Sequence, residues 1–365
     1  MLKETIRQAI EKGLIKSTSI IVDSTHTNAA ARPKTVTQVL RDLSKELRKE
    51  IYREMYDLSE KFPDKPNQSA SLTEEIDYTK NLLESIGDEV IESKNARLIE
   101  TYTRIKELLD SDKIREIRSK VDEDARFGHK SPTSTFYGYK NHLAMTEERL
   151  ITGIKVTSGE SSDGKHTIDL IEQSKSNGIE VKEVIGDSAY CSRTNLDYCK
   201  ENDITLIAKT NIIVANSYEM KDDGFEYNKD AKTMQCPAAE LALSIKEKAL
   251  ENGNTSVDAH FSKHKCKKCP LVEKCKVGIS KSKNYHFTLA CKEVQERMNF
   301  EKSDYFRQKE NTRYKIEQKN GELKQPHGLA RADAMGLVSM QLQTYFTAFV
   351  VNIKRIVKLT VSLPS

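Results

Sequence analysis

Lys182-Glu183-Val184-Ile185-Gly186-Asp187-Ser188-Ala189-Tyr190 is the stretch on which the fold class turns. Val184 and Ile185 favour an extended backbone, Gly186 interrupts the run, and an aspartate follows at the carboxyl end of the predicted strand. Working outward, helical periodicity runs from about Thr167 to Ser176 on one side and from Asn195 to Asn202 on the other, and a second apolar run, Ile204 to Ala208, predicts another strand. Strand, helix and strand in alternation mark an α/β chain. Nearer the start, Leu2, Ile6, Ile10 and Leu14 recur at steps of four as a short helix requires. The run Ser19-Ile20-Ile21-Val22 that follows is β-branched and ends in Asp23-Ser24-Thr25, which predicts Asp23 at a strand's carboxyl end. Between Phe136 and Thr157 two extended segments flank a polar turn, as in an antiparallel hairpin.

From about residue 35 to 118 the period changes. Leu40, Leu43, Leu47, Ile51, Met55 and Leu58 form one apolar helix face, Phe62 to Asn67 breaks it, and Ser71-Leu72-Thr73-Glu74 reads as a capping box opening a second helix. Residues 210–292 lose clear periodicity. The predicted division is therefore 1–32, a short helix and first core strand; 33–118, a helical insertion; 119–209, the core; 210–292, a cysteine- and lysine-rich insertion; and 293–365, C-terminal helices that complete the core. The last helix, Arg331 to Lys358, is apolar on one face and reads as core packing.

Apolar residues make up 37% and charged ones 31% of 365 residues, which excludes a disordered chain. The net charge of +4, from 59 basic and 55 acidic residues, does not by itself call for a polyanionic partner, so local clusters carry more information. The longest apolar stretch, Ala334 to Ile353, is broken by Ser339, Gln341, Gln343 and Asn352, and no secretory leader is legible; a cytoplasmic protein is expected, with no membrane partner. Seven cysteines, an odd number, argue against a disulfide framework. Cys266-x2-Cys269 with Cys275 and the more distant Cys236 offer four thiolates for one tetrahedral structural Zn2+, with His260 or His264 as alternatives to Cys236 and plain reduced thiols as the competing reading. Lys265, Lys267 and Lys268 lead a lysine-rich run around this knuckle that would suit phosphate contact, or simply solvation. No Ser-His-Asp set and no glycine-rich phosphate loop is present.

Asp23 and Asp187 each close an apolar run and are followed by serine, and Arg313, Glu317 and Lys324 stand as Arg-x3-Glu-x6-Lys, a spacing that puts Arg313 and Glu317 one helical turn apart. Three carboxylates in strand, strand and helix settings resemble the DDE transposases of bacterial insertion sequences. In that family the third carboxylate lies in Tyr-x2-Arg-x3-Glu-x6-Lys; here Glu310 stands at the tyrosine position. Asp124-Ala125-Arg126-Phe127-Gly128, Gly138-Tyr139-Lys140-Asn141-His142, Val156-Thr157-Ser158-Gly159 and Gly321 to Leu329 extend the resemblance, in order, over most of residues 15–358.

The resemblance implies an RNase H-like α/β fold, a mixed sheet flanked by helices, carrying the helical and cysteine-rich insertions. It implies Asp23, Asp187 and Glu317 as catalytic ligands of two Mg2+ or Mn2+ ions, with Arg313 and Lys324 against DNA phosphates. The implied partners are the element's ends and target DNA, met as a homodimer, with a cytoplasmic, nucleoid-associated location. The family usually carries a helical domain before the first aspartate, whereas 22 residues precede Asp23 here, so a truncated or split copy is expected. A non-catalytic DNA-binding remnant is the alternative, and a general nuclease on the same core a third.

Overall fold

The computed structural model describes residues 1–111, 114, 117–131, 133–210, 223–228, 231–250, 254–289 and 291–361. Part of the expected cysteine-rich insertion, 211–222, lies outside the described residues. The chain forms two compact units, Met1–Lys182 with Tyr314–Ser365, and Glu183–Arg313. In chain order the first unit contributes α1 (Leu2–Glu11), β1 (Ser19–Asn28), α2 (Val36–Glu54), α3 (Leu72–Glu92), α4 (Ala96–Asp110), β2 (Arg126–Ser131), β3 (Ser134–Thr146), β4 (Ile151–Ser158) and α5 (Thr167–Ser176). The second unit holds β5 (Glu183–Ile185), α6 (Arg193–Glu201), β6 (Thr205–Ile207), β7 (Glu226–Asn228), β8 (Thr233–Gln235), β9 (Ser244–Ala249) and β10 (Thr255–His260). It continues with α7 (Lys263–Lys267), α8 (Lys276–Ile279), β11 (Asn284–Leu289), α9 (Lys292–Glu301) and α10 (Asp304–Glu310). The first unit resumes with α11 (Tyr314–Lys324) and α12 (Leu337–Val361).

In the first unit β3 is central. It pairs antiparallel with β1, β2 and β4, and it is buried over most of its length because α5 and α12 pack against this sheet. Asp23 lies opposite Leu143 in the middle of β1 and not at its end, because Ser24 to Asn28 continue the ladder against His142 to Gly138. Thr25 and Thr27, β-branched and buried, keep the alternation going, and the Thr27 hydroxyl donates to Leu329 O at 2.6 Å. Gly138 is required by this pairing, since a Cβ there would run into Thr27 O.

The helical segment follows its periodicity as far as Ile51, but the stripe is not one helix: Met55 leaves the helical backbone and ends α2, and Leu58 is buried from a separate 3-10 turn, Tyr56–Lys61. Leu40, Leu43, Leu47 and Ile51 are fully buried on α2, and Thr35 and Ser71 both form capping boxes, at the starts of α2 and α3.

The last helix departs from expectation at both its start and its outer face. It begins at Leu337 and not near Arg331, because residues 330–332 run beside the end of β1: Asn28 N donates to Ala330 O at 3.0 Å and Ala332 N to Asn28 O at 2.8 Å. Its inner face carries Met340, Thr344, Ala348, Val351 and Asn352 into the core. Asn352, which interrupts the apolar run, receives Ile151 N and donates to Ile151 O, both at 2.8 Å, and so satisfies one backbone position of β4. The outer face is apolar as well: Val338, Leu342, Phe346, Val350, Ile353 and Val357 are exposed. Among the described residues no helix is long and apolar enough to cross a membrane.

In the second unit β5 and β6 pair in parallel, and Arg297 on α9 ties in by donating to Leu206 O at 2.7 Å while pairing with Glu301 at 3.0 Å. The stretch without clear periodicity is in fact β-structured. The order β11, β10, β9 is antiparallel, and Val257, Ala259, Tyr285 and Phe287 alternate into a small core with Phe225, Met234, Phe261 and Val277. The protein is thus mixed α/β, with antiparallel and parallel pairing and flanking helices, consistent with an RNase H-like fold.

Candidate active site

Helix α11 carries Glu317 in its first turn, exposed, and presents Asn320 and Lys324 three and seven residues further along the same face. The helix packs on β1. Asn320 Nδ2 donates to Asp23 Oδ2 at 2.8 Å, and Lys324 Nζ donates to a His26 ring nitrogen at 3.2 Å. Burial, with the Lys324 and Lys130 ammoniums, pushes the His26 imidazole down to about 4, so the ring is neutral at pH 7 and accepts from lysine. Burial and Lys130 also push the Lys324 ammonium down to about 8, against the pull of Asp23.

The far side of α11 fixes its seat. Lys319, buried, pairs with Glu322 at 2.9 Å, Arg149 reaches Glu322 at 3.4 Å and Gln318 at 3.2 Å, and Lys315 pairs with Glu147 at 3.0 Å. Burial pushes the Lys319 ammonium down and Glu322 opposes it. The two flanks of α11 are therefore different in kind: one is locked to the turn after β3, the other holds polar groups against β1.

Asp187 follows β5 in the second unit, as expected, and caps the short 3-10 turn Ser188–Tyr190 by accepting from Ala189 N at 2.8 Å. Arg313 ends a separate 3-10 turn, Asn311–Arg313, so it does not share a helix with Glu317 as the spacing predicted; the tighter turn ends where α11 begins. Glu310, at the family's tyrosine position, pairs with Lys209 at 2.7 Å, which offsets its charge.

The four cysteines singled out by spacing, Cys236, Cys266, Cys269 and Cys275, line one cavity of about 40 Å³, and neither His260 nor His264 does. Leu271 N donates to Cys269 Sγ at 3.4 Å, the kind of amide contact that steadies a thiolate. Burial pushes the Cys266 thiol up; Lys283 opposes this, and Cys236, Cys275 and Cys269 reinforce it. Lys267 and Lys268 are exposed and form no ion pair among the described residues, whereas Lys265 pairs with Glu240 at 2.7 Å. Among the described residues no three His, Cys, Asp or Glu side chains are gathered as a ready metal-binding group.

The donor chemistry fits both expected kinds of ion. Carboxylates are hard ligands for Mg2+ or Mn2+, and Asn320 Oδ1, buried and without a hydrogen-bond partner, is an acceptor beside Asp23 of the sort a hydrated cation's water satisfies. Thiolates suit Zn2+. Sequence reading missed Asn320 and His26, because their partners lie 297 and 298 residues away; the signal that could have found Asn320 is its offset of three residues from Glu317 on a helix.

The mixed sheet flanked by helices, with Asp23 on a strand and Glu317 on the helix packed against it, is consistent with the RNase H-like class. Two family models, each described as Transposase DDE domain, match the chain, one over residues 106–225 and the other over 235–357, together about two thirds of its length. The chain belongs to the DDE-type transposases. No curated protein and no solved structure matches it.

Proposed function

We propose that this transposase cleaves the ends of an insertion sequence and joins them to target DNA, with Asp23, Asp187 and Glu317 as metal-binding carboxylates. The observation that carries the reading is the hydrogen bond from Asn320 to Asp23, which seats the helix bearing Glu317 on the strand bearing Asp23. Water attacks the phosphodiester at the element's end and releases a 3′-hydroxyl, which then attacks a target phosphodiester in line and displaces a second 3′-oxygen. Bound Mg2+ or Mn2+ supplies activation of the attacking oxygen and stabilisation of the leaving one. Lys324, held between His26 and the Asp23 side of the site, and Arg313 bind phosphate oxygens and counter the charge that builds in the transition state. The reaction places the chain with the nucleoid in the cytoplasm.

The cysteine-lined cavity supports one structural Zn2+ on Cys236, Cys266, Cys269 and Cys275. It would order a loop whose Lys267 and Lys268, with Lys265, contact the DNA backbone in a salt-sensitive way. A homodimer is supported by the outer face of α12. Its six exposed apolar side chains offer on the order of 600 Å² per copy, the lower bound for a stable two-copy interface. The basic residues Lys354, Arg355 and Lys358 all lie near one end of the helix, so an antiparallel pairing keeps the two sets apart. The test is cleavage of duplex DNA carrying the element's ends in Mg2+ or Mn2+. Wild-type chain is expected to nick at the ends, and Asp187→Asn to lose at least about a thousandfold in rate; equal cleavage by both refutes the assignment.

A further inference from the structure

We propose that Asn320 is a positioning residue for Asp23: its amide nitrogen holds one carboxylate oxygen and so fixes the orientation in which Asp23 meets a divalent cation, while its carbonyl oxygen accepts from a water of that cation's shell. This rests on the catalytic reading of Asp23. Four observations converge on it. Asn320 is 9% exposed and donates to Asp23 Oδ2 at 2.8 Å. The assignment of nitrogen and oxygen is forced, because the flipped amide would set two acceptors against each other. Its Oδ1 is buried and has no hydrogen-bond partner. The aim of the side chain is set by the helix, since Ile316 and Leu323 are buried and Lys319 is locked to Glu322. Asparagine is also a poorer helix former than leucine in a helix interior, so packing alone does not explain a polar side chain here.

The neighbouring charged groups make their hydrogen bonds to other residues, while the Lys324 ammonium also attracts Asp23 through charge. Lys324 is engaged with His26, and Lys319 and Arg149 meet Glu322. Asn320 is thus the neutral donor on this face of α11, able to orient a carboxylate without adding charge that would compete with a cation.

The experiment is Mn2+ titration of the full chain by calorimetry, without DNA, with the metal-free melting temperature recorded alongside. Asn320→Leu is expected to weaken Mn2+ binding about tenfold, the effect of losing an outer partner of a metal ligand, while keeping a single cooperative metal-free melting transition, lowered by the loss of the Asp23 hydrogen bond. Asn320→Asp, nearly the same shape, is expected to weaken binding too and to make it steeply pH-dependent, because two adjacent carboxylates compete for a proton. Wild-type affinity in Asn320→Leu overturns the proposal, and tighter binding in Asn320→Asp overturns it by making the position a ligand. Asp23→Asn separates the two levels: if it binds Mn2+ like wild type, the catalytic reading of Asp23 falls, and this proposal with it.

Discussion

Two regions of the chain, the helices of residues 36–110 and the strands β7 to β11, are held together in different ways. The first gathers fifteen buried apolar side chains, from Val39 to Leu108, in one cluster that Ile114 and Ile117 extend. The second gathers eight around the three-stranded sheet, with Cys236, Cys266 and Cys275 packed at its margin. A core of the first size sustains itself by burial, whereas one of the second size gains most from a cross-link. On the proposed reading that cross-link is the zinc ion, so the helical region owes its stability to its own sequence and the cysteine region owes part of its stability to a ligand.

The sharpest way to break this contrast is to remove the metal. Chelation, or Cys266→Ser, is expected to abolish amide protection in β9 to β11 while leaving α2 to α4 protected, as read by hydrogen exchange; equal protection in both regions with and without chelator would erase the distinction. Purified chain should carry one zinc by elemental analysis. A smaller effect is expected from Leu47→Ala on α2, which should cost about 2–5 kcal/mol of unfolding free energy and be felt in the helical region. A loss below about 0.5 kcal/mol in denaturant unfolding would mean this core is loosely packed. Smaller again is Asn352→Leu, which leaves Ile151 N and O unpaired under α12 and should cost about 1–3 kcal/mol.

The least effect concerns pH. His26 titrates near 4 in the folded chain against 6.5 ordinarily, because burial and then the Lys324 and Lys130 charges disfavour its protonated form. Between these values the unfolded chain binds more protons, so the stability tied to the neutral ring is whole above about pH 6.5 and is lost as pH falls toward 4. His26→Gln should flatten the acid side of the stability curve in that window; an unchanged slope would show that His26 is not the group responsible.

The contrast also explains what was legible in the sequence. The hairpin of β3 and β4, helix α5 from Thr167 to Ser176, the capping box at Ser71 and the stripe on α2 from Leu40 to Ile51 each depend on neighbours a few residues away, and each stands where the pattern predicts. The length of β1 was hidden because Ser24 to Asn28 are polar and are held extended by β3, more than a hundred residues later. The strands around the cysteines were hidden because lysines and loop residues dilute the alternation of Val257, Ala259 and Phe261. At the candidate site the spacing singled out Glu317, but the Asn320 to Asp23 and Lys324 to His26 contacts are long-range and have no local signature. The core face of α12 was legible, but its second, exposed apolar face was not, because periodicity reports apolar character and not what covers it.

The most direct measurement of the central claim is joining. A labelled, pre-cleaved element end with a free 3′-hydroxyl is incubated with plasmid DNA, Mn2+ and the full chain. The account predicts covalently joined product with wild type and none with Asp23→Asn, Asp187→Asn or Glu317→Gln, each folded to the wild-type melting temperature. Joining at the wild-type rate by any of these three would contradict it.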